Sequence, residues 1–471
     1  MRKRRFREDA PQFASRLEMG HTRRLVAPKG TGALLSCALS PHDGGASLAV
    51  GGENAAALVF DLRGAHLVAH RLTAAAGCFD REDAVPCVSF NLAAPHALYC
   101  ASGRAVTAWD VRRLPVATDA RLVDGVAGAA KSASIDAQKK RDAASARGAL
   151  ATYAHNADEI NHFAIDRDGA FLYAADDACE VAVVELEPRR LDGAAESGGR
   201  LAKTLRRDGH ENFVSCVALR AHKPREVVSG GLDARVCVWD RDKNAAVRRW
   251  DVPELIAAFD RASAERAEMG KKKRAGEEEA SEDPARGIPR CETMNPPFVH
   301  CVATWACARD PARRDALRLA AAACGDGTVA LVDLDADAKR KKKTKKQASR
   351  GSDAPPLDGA PAVFLGRGAG GGAHASATSH VAFPGWGDGE LVVSGGNDRA
   401  IKAWRWRDER ARLFSTTERE DDGASQTSVA HGRKTNWIAH AATREACPGG
   451  GHVFVADTSQ TVAVYDANAF A

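Results

Sequence analysis

The feature that most constrains the fold is an internal repeat, because residues 209–240 and 374–404 carry near copies of one pattern. Each copy starts around a histidine, passes through a short apolar run and a polar break, and ends in two β-type runs separated by a Gly-Gly-x-Asp turn. Short β-branched runs joined by a glycine-rich turn are typical of hairpins. Repetition of such a unit predicts an all-β fold made of similar small sheets.

Four polar positions recur at the same spacing in both copies. They are His210, Ser229, Asp233 and Trp239 in the first copy, and His374, Ser394, Asp398 and Trp404 in the second. The set resembles that of a WD-repeat blade, where the side chains form a buried hydrogen-bond relay from Asp through His and Ser to the Trp indole. Because buried polar groups must be paired, four of them at one spacing indicate a structural role, and we interpret both histidines as core residues instead of catalytic ones.

Weaker copies of the same pattern occur along the chain and predict a single seven-bladed WD40 β-propeller. The predicted blades cover about residues 31–63, 84–112, 155–187, 209–242, 295–334, 374–407 and 431–466. Seven repeats of roughly 40 to 45 residues account for about 300 residues, which leaves a large remainder for insertions.

We expect the ring to be closed by the two ends of the chain. The sequence ends at Ala471, just after the third strand of the last predicted blade, so that blade lacks an outer strand. Residues 23–27 are the natural replacement, since pairing the termini removes an open sheet edge. Residues 1–22 then form a basic tail, and 23–471 the propeller.

The remaining residues fall in segments rich in Ala, Gly and charged side chains and poor in large apolar ones. These predicted insertions lie at about 115–154, 189–204, 251–294, 335–362 and 408–430. Their composition predicts disorder or frayed helix. One short helix is expected over 254–269, where the apolar spacing is helical.

The formal net charge of +5 is concentrated in basic runs at residues 2–5, 271–274 and 339–346. Such runs act as nuclear import signals or as weak, nonspecific contacts to nucleic acid, or they are simply solvated loops. The run at 339–346 is the best import candidate, because the acidic residues 277–279 follow the middle run.

The 12 cysteines suit a reducing compartment, the cytosol or the nucleus. Most lie in predicted strands, no pair has the spacing of a metal site, and no leading apolar segment resembles a signal peptide or a membrane span. The repeat scaffold also leaves no Ser/His/Asp set or paired carboxylates outside it. We therefore expect no catalytic, cofactor or metal site, and a monomeric propeller that binds other proteins or peptides.

A more specific resemblance is carried by short motifs in the order of the chain. They are DEIN at 158–161, AADD at 174–177, VSGGLD at 228–233, SGGND at 394–398, and HGRKTNW with FVADTSQTVAVY within 431–465. Together they resemble the WD repeat-containing protein 53 family. The resemblance implies a noncatalytic adaptor, a substrate receptor of cullin-RING ubiquitin ligases of the cullin-4 type that acts through their damaged-DNA-binding adaptor protein.

The resemblance links this role to an arginine two residues after the Asp that closes a repeat. Arg112 in Trp-Asp-x-Arg fits, Arg63 is close, and Arg407 occupies the position in blade 6, whereas blade 4 has Asp242 there. An arginine at the rim is able to make paired hydrogen bonds to a partner's carboxylates or carbonyls.

Two other functions are left open by the sequence. One is a chromatin reader that binds a basic peptide such as a histone tail on the top face. The candidate residues for it are Asp158, Glu159, Asp176, Asp177, Phe213, Arg399, Asn436 and Trp437. The other is an RNA-associated or ribosome-assembly scaffold that uses its basic loops electrostatically.

Overall fold

The computed structural model describes the propeller blades and part of the segments between them. The described residues are 21–54, 56–63, 68–72, 83–113, 118–119, 121–124, 149–186, 199–274, 295–306, 311–336, 357, 360–366, 373–408, 426–443 and 451–470. The basic runs predicted at 2–5 and 339–346 lie outside them.

Strands of the described residues form seven antiparallel sheets. The first strand of each sheet contacts the first strand of the next, and the seventh contacts the first, so the sheets form a closed ring. The prediction of an all-β, seven-bladed propeller is confirmed.

Each blade has four strands in the order inner to outer. Blade 1 has Leu34–Leu39, Ser47–Gly52, Ala56–Asp61 and Val68–Leu72; blade 2 has Cys87–Phe90, Ala97–Ser102, Ala105–Asp110 and Ala149–Tyr153. Blade 3 has Ile160–Ile165, Phe171–Asp176, Val181–Glu185 and Arg200–Leu205; blade 4 has Val214–Leu219, Glu226–Gly231, Arg235–Asp240 and Ala245–Asp251. Blade 5 has Val299–Thr304, Leu319–Cys324, Val329–Asp333 and Ala362–Leu365; blade 6 has Thr378–Ala382, Leu391–Gly396, Ala400–Arg405 and Gln426–Ala430. Blade 7 has Thr435–His440, Val453–Asp457, Thr461–Tyr465 and, from the other end of the chain, His21–Val26.

The core lies between neighbouring blades, which cover both faces of the middle strands. In blade 5 every residue of Leu319–Cys324 and of Val329–Asp333 is buried. A strand buried on both faces has no reason to alternate apolar with polar residues, and the alanine run Ala320–Ala323 keeps the blades close. Seven cysteines in the inner three strands of the blades are buried free thiols: Cys37, Cys87, Cys100, Cys216, Cys237, Cys301 and Cys324.

The ring closes as predicted, with a small difference in the boundary. His21–Val26 pairs antiparallel with Thr461–Tyr465, and Leu25 is buried against blade 7. The closing strand thus begins at His21, so the predicted tail of residues 1–22 is two residues too long.

The predicted insertions are wrong in one respect, because they include the outer strands of several blades. Strands within or overlapping them are Ala149–Tyr153, Arg200–Leu205, Ala362–Leu365 and Gln426–Ala430. An outer strand packs less completely than a middle one and tolerates polar residues, as the largely exposed or half-buried Arg200–Leu205 does. Its composition therefore resembles that of a loop.

Two further strands within the predicted insertion 115–154 cross the junction of blades 1 and 7. Thr118–Asp119 pairs with Val68–Leu72, the outer strand of blade 1. Arg121–Asp124 pairs with His21–Val26, the outer strand of blade 7. We call residues 118–119 and 121–124 the seam strands.

Few helices accompany the strands. The α-helix Val252–Arg274 confirms and extends the helix expected over 254–269. Asp251 caps it by accepting a hydrogen bond from the Glu254 amide at 3.1 Å, and Phe259 packs edge-on against Phe364 of blade 5, with centroids 5.4 Å apart. Short 3-10 helices cover Val111–Arg113, Pro311–Arg318, Gly385–Gly387 and Ala467–Phe470.

Candidate functional site

In blade 4 the four repeated polar side chains form one continuous hydrogen-bonded chain. His210 Nδ1 lies 2.9 Å from Asp233 Oδ1, and His210 Nε2 lies 2.7 Å from Ser229 Oγ. Trp239 Nε1 donates to the same Ser229 hydroxyl at 2.7 Å. Burial alone would raise the pKa of Asp233, but the hydrogen bonds from His210 and from backbone amides lower it. The set holds a turn against the blade and offers no open nucleophile.

Blade 6 repeats this arrangement closely. His374 lies 2.9 Å from Asp398 and 2.8 Å from Ser394, and Trp404 donates to Ser394 at 2.9 Å. The pKa of Asp398 is again lowered by His374 against the opposing effect of burial. Both histidines are buried, as a core role requires.

Other blades make related contacts with different residues, and the sequence analysis did not find them. In blade 7 His431 contacts the Tyr465 hydroxyl at 2.5 Å and Asp457 at 3.2 Å. In blade 2 Trp109 donates to Thr107 at 3.0 Å. An alignment of the third strands would have indicated these contacts. Tyr465 and Trp109 both stand at the position that Trp239 occupies in blade 4.

In blade 3 the position of Asp176 differs from the predicted one. Asp176 is only 1 % exposed and accepts hydrogen bonds from Asn156 Nδ2 at 3.0 Å and from the backbone amides of Ala178 and Glu180. Burial raises its pKa. Asp176 is therefore a structural residue of the turn, and its prediction as a top-face contact is wrong because its carboxylate is turned into the blade.

The lower face, on which the third strands end, carries the rim arginines of blades 1 and 2. Arg63 donates to Asp61 through Nε at 2.9 Å and Nη2 at 2.8 Å. Arg112 donates to Asp110 through Nε at 2.9 Å and Nη2 at 2.7 Å. In both loops the arginine backbone amide also donates to the same carboxylate. The Arg112 and Arg63 side chains remain 45 % and 64 % exposed.

Arg407 does not share this arrangement. Its guanidinium lies 2.6 Å from Asp315, 3.5 Å from Glu390 and 4.6 Å from the ring centroid of Trp406. Because Arg405 replaces the acidic residue of the motif, the side chain turns towards carboxylates of other loops. Arg407 therefore lacks the fork of Arg63 and Arg112, and its role as a rim contact stays a prediction.

The upper face, on which the first strands begin, contains a cavity of about 540 Å³ that we call the cup. In six first strands a bulge falls at the second residue, and in blade 2 Pro86 precedes the strand. The residues at this position all line the cup: Leu35, Pro86, Asn161, Ser215, His300, Ser379 and Asn436. A bulge re-aims a side chain, here towards the ring axis.

Trp437 of blade 7 reaches across the ring beneath these residues. Its ring lies 4.6 Å from that of His380 in the neighbouring blade 6 and 5.2 Å from that of His162 in blade 3, with which it is nearly parallel. Since blades 3 and 7 are not neighbours, the three rings bridge the channel. Burial lowers the pKa of His162 to about 4 and that of His380 to about 3, so both are neutral at pH 7.

A model of a known protein family matches part of the chain and agrees with this architecture. Residues 199–240, which span the outer strand of blade 3 and the first three strands of blade 4, match the family model described as WD domain, G-beta repeat. The fold is a WD40-type propeller. This fold typically serves as a noncatalytic scaffold for protein partners.

The WD40-type propeller brings together only part of the predicted top-face set. Asp177, Phe213, Asn436 and Trp437 line the cup. The others lie outside its lining: Asp158 is 3.5 Å from Arg104, Glu159 is exposed, and Arg399 is exposed in a turn with φ of 63°. The sequence analysis missed Asn161, His162 and His380, although aligning the second and third residues of the first strands would have marked them.

Two further properties of the propeller concern the described residues. None of their helices is long and apolar enough to cross a membrane. Among the same residues no group of three or more His, Cys, Asp or Glu side chains is arranged to hold a metal ion.

Proposed function

We propose that this protein is a substrate receptor of a cullin-RING ubiquitin ligase of the cullin-4 type, and that the lower face of blades 1 and 2 binds the ligase's damaged-DNA-binding adaptor. The proposal rests on the resemblance of the sequence to the WD repeat-containing protein 53 family. The observation that carries it is the identical Asp–Arg fork in two adjacent blades, formed by Arg63 with Asp61 and Arg112 with Asp110.

The fork prepares each arginine for a partner. A guanidinium has five N–H donors, and Nε with one Nη2 donor is used on the neighbouring carboxylate. The Nη1 donors of the exposed Arg112 and Arg63 point away from that contact and suit carbonyl or carboxylate oxygens. Because the carboxylate fixes the side chain beforehand, binding costs little rotamer entropy.

The same carboxylates neutralise the two arginines. We therefore expect the interface to depend on hydrogen-bond geometry more than on net charge, and its affinity to vary little with ionic strength. This separates it from the RNA-scaffold alternative, in which loss of counterions makes affinity fall steeply with salt.

The test is a binding titration between the purified full chain and the purified adaptor protein. Arg112→Ala and Arg63→Ala should each weaken binding by roughly tenfold or more, as for a central interface arginine. Arg112→Lys should fail similarly, since lysine keeps the charge and loses the fork. Arg225→Ala is the matched control, because Arg225 is an exposed arginine on the same face, paired with Asp242 in blade 4.

Adaptor binding that survives both alanine substitutions would contradict the proposal. Binding that collapses between low and physiological salt and needs residues 339–346 would favour the RNA-associated scaffold instead.

We also propose a nuclear or cytosolic location, supported by the buried free thiols. Burial raises the pKa of Cys37 and Cys87 to about 12, which keeps these thiols unreactive.

A further inference from the structure

The wall of the cup combines apolar and polar residues, which suit different parts of one ligand. Blades 1 and 2 contribute the apolar residues Leu35 and Pro86 to it, and Leu232 and Ala377 also line it. Phe213, which lines the same cavity, is 43 % exposed, unusual for so large an apolar side chain on the described surface. These apolar residues, contributed by several blades, are suited to contact a methylene chain.

The polar lining residues offer hydrogen-bond acceptors to a ligand. Asn161 Nδ2 donates to Asp177 Oδ1 at 2.7 Å and to the Val214 carbonyl at 3.1 Å, and Asn436 Nδ2 donates to the Leu34 carbonyl at 2.7 Å. These contacts use both amide N–H groups of Asn161 and one of the two N–H groups of Asn436. Within the described residues, neither amide oxygen accepts a hydrogen bond, so both remain acceptors for a ligand.

The formal charge of the cup is negative, which also suits a cationic ligand. Of its lining residues, Asp177 is the one with a formal charge at neutral pH, because burial keeps His162, His300 and His380 neutral. His380 Nδ1 is also buried and lacks a hydrogen-bond partner within the described residues. A buried polar atom without a partner is costly, which makes it a further point of contact for a ligand.

The rings at the lower end of the cup limit which ligands fit into it. The stacked rings of Trp437, His162 and His380 bridge the channel below the bulge residues, so the cup does not admit a chain threaded through the ring. A volume of about 540 Å³ lies within the range of small-ligand sites. It accommodates one long side chain inserted from the upper face.

We propose that the cup is a receptor for one basic side chain, lysine or arginine, presented by an extended segment of a partner protein. Its cationic end contacts Asp177 and the amide oxygen of the adjacent Asn161, and its methylenes lie against Phe213 and the other apolar lining residues. Long basic side chains divide in this way between an apolar stem and a solvated or paired head. The site is on the opposite face from the rim arginines and is independent of the proposed ligase role.

Ligand-observed NMR with the intact chain tests the chemistry directly. The probes are Nα-acetyl-lysine amide, Nα-acetyl-arginine amide and, as the uncharged analogue, Nα-acetyl-norleucine amide. We expect saturation transfer to at least one cationic probe, and binding of norleucine amide at least tenfold weaker. Comparison of the two cationic probes decides between lysine and arginine.

Matched variants locate the binding in the cup. Asp177→Asn, which preserves size and hydrogen-bonding capacity, should weaken binding of the cationic probe at least fivefold. Asp158→Asn should leave it unchanged, because Asp158 lies near the same face beside Arg104 and outside the cup lining. Phe213→Ala should weaken binding about threefold through the stem, and it provides a second test if Asp177→Asn proves unstable.

Three results would overturn the proposal: equal binding of the norleucine probe, an equal loss in Asp158→Asn and Asp177→Asn, or no saturation transfer to either cationic probe. The double variant Arg63→Ala, Arg112→Ala should bind the probes normally. Failure at the cup and failure at the rim are therefore distinguishable.

Discussion

Blade 4 is one continuous stretch of chain, whereas blade 7 combines residues from both ends of the sequence. In blade 4 a serine hydroxyl joins His210 to Trp239, and in blade 7 His431 contacts Tyr465 without an intermediate residue. Both blades nevertheless bury a histidine paired with a carboxylate. The difference teaches that the propeller requires a paired polar group at this place more strictly than it requires particular partners.

The largest expected difference between blades 4 and 7 follows removal of the closing strand His21–Val26. A chain lacking residues 1–26 loses the outer strand of blade 7 and the burial of Leu25, while blade 4 keeps all its strands. We expect the free energy of unfolding to fall by roughly 5 kcal/mol or more, as measured by urea titration. A chain lacking only residues 1–20 is the control; equal stability of the two truncations would show that ring closure does not need this strand.

Mild acid should weaken blade 7 before blade 4. Burial lowers the pKa of His440 in blade 7 and of His162 and His380, which stack on Trp437. A histidine whose folded pKa lies below its unfolded value binds its proton preferentially in the unfolded chain, so stability falls as pH decreases from about 6.5 towards about 4. For a folded pKa of about 4 the loss reaches roughly 3 kcal/mol per histidine.

Hydrogen exchange at pH 7 and pH 4.5 measures this difference locally. Protection of Thr435–His440 should decrease more than that of Arg235–Asp240, the third strand of blade 4. The first strand of blade 4 is not a suitable reference, because its Val217 amide donates a hydrogen bond to His162 Nδ1 at 3.4 Å. The variant His162→Gln should reduce the pH dependence. Equal loss of protection in both strands would mean that the histidines do not govern the acid response.

Ser229→Ala should destabilise blade 4 by about 3 kcal/mol, because it leaves both His210 Nε2 and Trp239 Nε1 buried without a partner. Urea titration at pH 7 gives the value. Ser89→Ala is the control, since Ser89 is only half-buried and its hydroxyl contacts the adjacent Phe90 carbonyl. A loss similar to that of the control would remove the energetic argument for the relay.

The smallest effect is expected in blade 7. Tyr465→Phe removes one hydrogen bond to His431 and keeps the ring, while Asp457 still pairs with the histidine. The expected loss is about 1 kcal/mol in the same titration. A loss as large as that of Ser229→Ala would place Tyr465, like the serine, at the centre of the network.

The contrast also explains which parts of the fold were predictable. Blade 4 has all four relay residues, so its contacts followed from their spacing together with the resemblance to a WD-repeat blade. The predicted range 209–242 nevertheless ends before the outer strand Ala245–Asp251. Blade 7 has its outer strand at the far end of the sequence, and its position followed only from the argument that a sheet edge must be covered. Strands such as Arg200–Leu205 and Arg121–Asp124 were missed because their polar composition is decided by neighbours distant in the chain.

The site was predictable to a similar degree. Phe213, Asn436 and Trp437 were named from their positions at strand entries, and the structure places them in one cavity. That Trp437 stacks on His162 depends on the diameter of the ring, which no local pattern contains. The sequence does not reveal that Asp176 is buried with Asn156, nor that Arg407 pairs with Asp315.

The pairing of His21–Val26 with two partners has a consequence for biosynthesis. One partner, Arg121–Asp124, leaves the ribosome several hundred residues before the other, Thr461–Tyr465. Because chains fold from the N-terminus as they are made, we expect His21–Val26 to pair first with Arg121–Asp124 and to stay paired while the rest of the chain is synthesised. One edge of this strand would then be covered early in translation, and its other edge would stay open until the last blade completes the ring.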